Sequence, residues 1–235
     1  MGIELTWLGH GTWSIVVESN STGKHTILLD PFLDDSPSAP VKAADVAADY
    51  ILISHGHFDH VSDAAKIAKR TGALVISNFE ICEWLAKQGV QRTHPHNLGG
   101  GSSHDFGRVQ LTLAHHSSML PDGAYGGNPA GFLLSTAGRK VYFACDTALF
   151  YDMKFIGEQG IDVAVLPIGD QFTMGPVDSI RAIQLIQPKI VVPAHYDTWP
   201  PIHQNAAAWA QQVLAETTAE PRVISPGEKI VLNAL

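Results

Sequence analysis

With 235 residues, of which 45% are apolar and 16% charged, the chain is long enough to bury a substantial core and is not a disordered polymer. A formal charge of −8 without any dense Lys/Arg cluster disfavours nucleic acid as a partner. No basic segment leads into an apolar one at the N-terminus, and no run reaches the roughly 18 continuous apolar residues of a membrane span. The expectation is a cytoplasmic protein without membrane association; a homo-oligomer is compatible with it.

Read in chain order, short β-rich runs come first, at 13-WSIVVES-19, 25-HTILLD-30 and 50-YILIS-54. The pattern then alternates: a helix over 62–70, a strand over 73–77 and a helix over 79–88. Strands are predicted at 108–114, 131–136 and 140–145, a helix at 148–158 and a strand at 161–167. A helix over 176–187 is bracketed by Pro176 at its first position and Pro188 just past its end. A strand over 189–194, a helix over 204–216 and a strand over 222–226 complete the pattern. Strands in succession followed by strands alternating with helices predict a layered α/β protein, its sheets covered by helices. The Gly/His/Ser-rich stretch 94-HPHNLGGGSSHDFG-107 reads as a loop, and residues 1–235 read as one domain. Cys82 and Cys145, far apart and flanked by core-like residues, read as buried reduced thiols.

Chemistry concentrates in 54-SHGHFDHVSDA-64, where His55, His57, Asp59 and His60 follow the apolar run 50-YILI-53. Transition metals take neutral imidazoles and carboxylates held by backbone that cannot drift, and a loop leaving a buried strand supplies both. Gly56 permits a tight turn between the two histidines, and one such loop can serve two adjacent metals. Further ligands should also lie at strand ends. Three segments qualify: 114-AHHSS-118 with His115 or His116, 144-ACDT-147 with Asp146, and 193-PAHYDT-198 with His195. The remaining histidines, His25, His94, His96, His104 and His203, lack that setting; His94 and His96 read as solvated loop.

The H-x-H-x-D-H run, followed in order by a histidine before Ser-Ser, an aspartate before Thr and a late histidine, resembles the metallo-β-lactamase superfamily. The segments 7-WLGHGTWSI-15, 28-LLDPF-32, 125-YGGNPAGF-132, 165-VLPIGDQFTMGP-176 and 193-PAHYDTWP-200 resemble its branch of metal-dependent hydrolases related to bacterial sugar-phosphate lactonases. The resemblance implies a four-layer αββα sandwich and two divalent metal ions, with zinc expected ahead of manganese, iron or nickel. It implies a first metal on His55, His57 and His116, with His115 as the fallback. A second would lie on Asp59, His60 and His195, with Asp146 bridging. Cys145 departs from the glycine common before that aspartate.

Metal lowers the pKa of bound water from 15.7 to about 7, so hydroxide is available to attack a small ester, lactone, amide or phosphodiester. Asp59 is expected to orient it and accept its proton. The resemblance also implies that Asp30 supports a ligand loop and that His10 contacts substrate, with structural roles as the alternative. Tyr196 and Trp199 either line the substrate wall or only pack, and 117–129 is either a mobile flap or a plain connection. Competing functions are a β-lactam hydrolase, a nuclease, an iron redox enzyme and a metal-stabilised binding module.

Overall fold

Ile3, Leu5 and Trp7 alternate with Glu4 and Thr6, and the apolar set turns inward, as the period of two in an extended chain demands. The computed structural model describes residues 2–19 and 22–233. Its strands are β1 (Gly2–Trp7), β2 (Trp13–Ser19), β3 (Gly23–Leu29), β4 (Tyr50–Leu52), β5 (Leu74–Asn78), β6 (Thr93–His96) and β7 (Gly101–His104). They continue as β8 (Gly107–Leu113), β9 (Ala130–Thr136), β10 (Arg139–Phe143), β11 (Val163–Pro167), β12 (Ile190–Ala194), β13 (Glu220–Pro221) and β14 (Lys229–Asn233). The helices are α1 (Phe58–Val61), α2 (Ala64–Thr71), α3 (Phe79–Lys87), α4 (Met153–Gly157), α5 (Pro176–Ile186) and α6 (Ala206–Glu216).

Two mixed seven-stranded sheets result, ordered β14-β1-β2-β3-β4-β5-β6 and β13-β12-β11-β10-β9-β8-β7. Ile27, Leu29, Leu52 and Ile76 turn from the first sheet toward the second, where Trp13 meets Phe143 with ring centroids 6.0 Å apart. Their neighbours Leu28, Ile51, Ile53 and Val75 turn outward and are covered by Val61, Ile67, Ile81 and Leu85 from α1 to α3. Strands buried on both faces are therefore apolar throughout, whereas β1 and β14 alternate because their outer face meets water. On the second sheet α4, α5 and α6 take the outer face, and Trp209 Nε1 donates to Ser179 Oγ (2.7 Å) to fasten α6 to α5. The arrangement is the αββα sandwich that the resemblance implied.

Several elements differ from expectation, each because tertiary pairing outweighs local pattern. The predicted loop 94–107 contains β6 and β7, the edge strands of different sheets, and residues 97–100 carry the chain from one sheet to the other. His94 and His96 are accordingly half-buried on an edge strand; His96 Nε2 and His104 Nε2 both meet Ser102 Oγ, at 2.9 and 2.7 Å. The predicted strand 222–226 is instead the return crossing, between β13 of the second sheet and β14 of the first. Strands β1 and β14, absent from the expectation, pair antiparallel across the whole length of the chain. Only Met153–Gly157 of the predicted 148–158 is helical.

One buried carboxylate ties the second sheet together. Asp162 accepts from Lys189 Nζ (2.8 Å), Arg139 Nη1 (3.2 Å) and the Lys140 amide (2.8 Å). Burial opposes its ionisation, but the Lys189 ammonium, the Lys140 amide and the Arg139 guanidinium prevail and hold the carboxyl below its ordinary value. That contribution is complete above the unfolded carboxylate pKa and disappears as pH falls through the lower folded value. Asp162→Asn is expected to cost about 2 kcal/mol at neutral pH, with the difference from wild type shrinking below about pH 4. Urea unfolding at both pH values checks this; a constant difference would remove Asp162's charge from the account.

Candidate metal centre

In the first sheet β1, β3 and β4 run in one direction, and in the second β8, β10 and β12 do. Their C-terminal ends meet at one edge of the sandwich and release His10, Asp30, the 53–60 loop, His116, Asp146 and His195. A hydrogen bond from the His195 amide to the His10 carbonyl (3.2 Å) joins the two sheets there. Non-glycine residues take left-handed φ at four of these positions, His10 (51°), Asp30 (45°), Cys145 (53°) and His195 (54°). Such strain clusters where a side chain must be turned off the line of its strand. Cys145 thus occupies a conformation that favours glycine, which accounts for glycine as the usual residue before this aspartate.

Three imidazoles converge first. His57 Nδ1 lies 3.0 Å from His55 Nε2 and 3.3 Å from His116 Nε2. Ligands at the usual zinc–nitrogen distance on a tetrahedron are separated by roughly 3.3 Å, so this triangle has the size of a coordination face. The second group is His60, His195, Asp59 and His10, whose ligand atoms lie within 4.8 Å of one another. Asp146 Oδ2 stands between the groups, 3.0 Å from His195 Nε2, 3.5 Å from His60 Nε2, 3.6 Å from His116 Nε2 and 3.9 Å from His55 Nε2.

Polar satisfaction tests whether a cation fits. His60 Nε2 and both ring nitrogens of His195 are buried without a hydrogen-bond partner, the short approach of His195 Nε2 to Asp146 being off the hydrogen-bonding direction. Buried ring nitrogens without partners are costly, and a shared metal ion would satisfy His60 Nε2 and His195 Nε2, though not His195 Nδ1 on the far side of its ring. The carboxylates gathered here also favour a positive charge, which either a proton on His60 or a metal ion would supply. Burial disfavours ionised Asp146, yet His195 and His60 hold it well below the carboxylate range. Burial likewise opposes a charged His60, but Asp146, Asp59 and Asp30 raise it well above an ordinary imidazole. Around Asp59 burial is again outweighed, by the His60 charge and the His10 hydrogen bond, so its pKa is lowered. Burial pushes His55, His57 and His116 down, toward the neutral form that metals bind.

Support for these rings comes from Asp30. Its Oδ1 accepts from the Ser54 amide (2.7 Å), and its Oδ2 accepts from Ser54 Oγ (2.5 Å) and His60 Nδ1 (2.9 Å). Ser54 Oγ also lies 2.9 Å from His55 Nδ1, so one carboxylate sets the tautomer of two histidines and turns both Nε2 atoms inward. Asp30→Asn is therefore expected to weaken zinc binding by about 10- to 100-fold, as read by competition with a chromogenic chelator. Unchanged affinity would leave Asp30 a folding residue only. Gly11 packs so closely that a Cβ there would meet His60 Cε1 at 2.8 Å.

Other predicted residues lie elsewhere. His10 is wholly buried behind Asp59, its Nε2 2.9 Å from Asp59 Oδ2 and its Nδ1 2.7 Å from Thr198 Oγ1; it does not reach the cavity wall. Burial first, and then the His195 charge, push its pKa down to about 3. A neutral ring accepting from Thr198 at Nδ1 donates from Nε2 to Asp59. Tyr196 follows the left-handed His195, turns into the core and stacks on Trp7, with ring centroids 5.4 Å apart. His115 is exposed, its ring 5.1 Å from Phe150, while His116 joins the imidazole triangle. The 117–129 segment is fastened at Ser118, whose Oγ takes the Gly56 amide, and by Leu120, buried against Gly56. Trp199, expected either here or in packing, does line the cavity, together with Phe58, Ser117, Phe172 and Pro201. Of these, Phe58 was visible as the residue between His57 and Asp59; nothing local marks Phe172.

The family model for the β-lactamase superfamily domain matches residues 25–196. A metal-dependent hydrolase of the UPF0173 group from Thermus thermophilus is 43% identical over 231 residues, covering 98% of this chain and all of that one. Another from Lysinibacillus sphaericus is 46% identical over 233 residues, covering 97% of this chain and 99% of the relative. The chain belongs to this family of metal-dependent hydrolases. Among solved structures, the metallo hydrolase Igni18 from Ignicoccus hospitalis is 34% identical, with a TM-score of 0.87 over 99% of both chains. A metal-dependent hydrolase of this fold needs cation-binding side chains at the strand ends, where the His/Asp groups described above lie. Among the described residues no helix is long and apolar enough to cross a membrane.

Proposed function

We propose that this hydrolase is dinuclear and cleaves small carboxylic esters, lactones or amides, with phosphodiesters the less favoured class. The observation that carries the reading is the placement of Asp146 Oδ2 within 3.0 to 3.9 Å of four imidazole nitrogens belonging to two ligand groups. In this reading His55, His57 and His116 would hold one ion and Asp59, His60 and His195 the other, with Asp146 placed to serve both. An all-imidazole and carboxylate set suits zinc, and also manganese, iron or nickel. Bound metal supplies an acidified water and a Lewis acid for the oxygen that becomes negative.

The chain's own residues then divide the remaining work. Asp59 borders the cavity with its Oδ2 engaged by His10, which leaves Oδ1 to orient the attacking water and accept its proton. His10 thereby positions Asp59 rather than the substrate. Asp30 and Ser54 hold His60 and His55 in one orientation, so little reorganisation accompanies turnover. No serine or cysteine nucleophile is required. Cys145 beside Asp146 has its thiol pushed well up by burial and by Asp30 and Asp146, which keeps it protonated and unreactive.

Metal analysis of protein purified without added metal, paired with turnover on an ester, lactone, amide and phosphodiester panel, tests the proposal. Two equivalents per chain with turnover is the expected result. One equivalent at full activity would remove the second ion, and two equivalents with no turnover on any class would remove the assigned chemistry.

A further inference from the structure

The cavity over the candidate centre has a volume of about 460 Å³, ample for a small organic substrate. Its floor is polar, formed by His57, Asp59, His116, Asp146 and His195. Its wall is not: Phe58, Phe172, Trp199 and Pro201 surround the mouth, with Ser117 the one hydroxyl among them. Phe58 and Phe172 are each 54% exposed, a large cost for phenyl groups unless something apolar covers them in use. Phe58 and Trp199 lie 6.0 Å apart by ring centroids, and buried Phe32 backs both, at 5.8 and 6.0 Å, so this part of the wall is held by packing.

Among the described residues no lysine or arginine lines this cavity, and besides histidines its only titratable side chains are the carboxylates Asp59 and Asp146. Metal ions on the floor would offset those carboxylates locally, for the reacting group. A second anionic group, carried away from the reacting carbon, would face phenyl and indole edges with no cation to receive it. Burying such an anion against an apolar wall is strongly unfavourable.

We propose that the non-reacting part of the substrate is uncharged and apolar, an alkyl or aryl group seated on Phe58, Phe172 and Trp199, and that substrates with a remote phosphate or carboxylate are rejected. This rests on the reading of the floor as a hydrolytic centre, and it parts company with the sugar-phosphate chemistry of the branch that the sequence resembles. For an ester the step is balanced by water alone. The water oxygen forms the new bond to the acyl carbon, the ester C–O bond breaks, and the proton taken by Asp59 passes to the departing alkoxide. Phe172, exposed and on the outer wall, is the specificity-determining position.

The test uses the zinc-loaded full chain and a constant leaving group: p-nitrophenyl acetate, p-nitrophenyl hexanoate, and the p-nitrophenyl half-ester of adipic acid, which ends in a carboxylate. The expected kcat/KM is at least about tenfold higher for the hexanoate than for the acetate, and at least about tenfold lower for the adipate half-ester than for the hexanoate. Phe172→Ala should collapse the hexanoate to acetate ratio, and Phe172→Lys should raise the adipate to hexanoate ratio by about tenfold. Equal rates across the series, a preference for the adipate, or ratios indifferent to both variants would overturn the proposal. Calorimetric binding of benzylacetone, a ketone that cannot be hydrolysed, against its para-carboxylate separates the two levels. Preferential binding of the neutral ketone without turnover of any ester would leave the wall's specificity standing and remove the hydrolytic reading. Equal or tighter binding of the carboxylate would remove the specificity whatever the turnover.

Discussion

Asp59→Asn, brought to full metal loading with excess zinc, is expected to lower kcat by about 10³-fold while leaving the protein folded. Asparagine has the shape of aspartate, so packing against His10 and His60 is kept. The hydrogen-bond pattern is not. His10 Nε2 donates to Asp59 Oδ2 across 2.9 Å, and an amide can meet that donor only with its carbonyl oxygen. Its NH₂ group must then face the cavity, where a proton acceptor is required and a donor is useless. Steady-state kinetics on the variant, with metal content measured on the same sample, check this. A fully metallated variant within tenfold of wild type would take Asp59 out of proton transfer and leave it a ligand alone.

Removing metal should act on stability as well as on turnover. Six histidines and the carboxylates Asp30, Asp59 and Asp146 are packed together at the strand ends, with three buried ring nitrogens left without partners. A cation that binds the folded chain at roughly a thousand times its Kd contributes about 4 kcal/mol. For a chain of this length that corresponds to a fall in Tm on the order of 10 °C on chelation, together with loss of activity by at least about 10³-fold. Calorimetric scans and rates before chelation, after it and after zinc is restored should move together and reversibly. Activity indifferent to chelation would contradict the metal-centred mechanism outright.

The candidate ligand loop was legible in the sequence because everything it needs is local: a buried strand, a glycine and four ligand-type residues within a few positions. Asp146 and His195 were legible for a related reason, since each directly follows an apolar run that had to be a buried strand. His10 and Tyr196 were harder. Both lie where φ is, or has just been, left-handed, and one such residue breaks the alternation by which a side chain's direction is read along a strand. His10 therefore turns behind Asp59, and Tyr196 turns onto Trp7. The choice of His116 over His115 depended likewise on contacts remote in sequence, the His115 amide and carbonyl being tied to Thr147 Oγ1 and the Ala148 amide.

By itself, then, the sequence determined the layered α/β class and the residue types gathered at the strand ends, because these follow from the order of periodic segments and from side-chain chemistry within a short window. Only the tertiary structure decided the pairing of β1 with β14, the edge strands inside 94–107, the partners of His10, and an aromatic wall drawn from Phe58, Phe172 and Trp199. Those features join residues up to the full length of the chain apart, and the free energy that selects them comes from burial and hydrogen bonding between segments that no local pattern encodes.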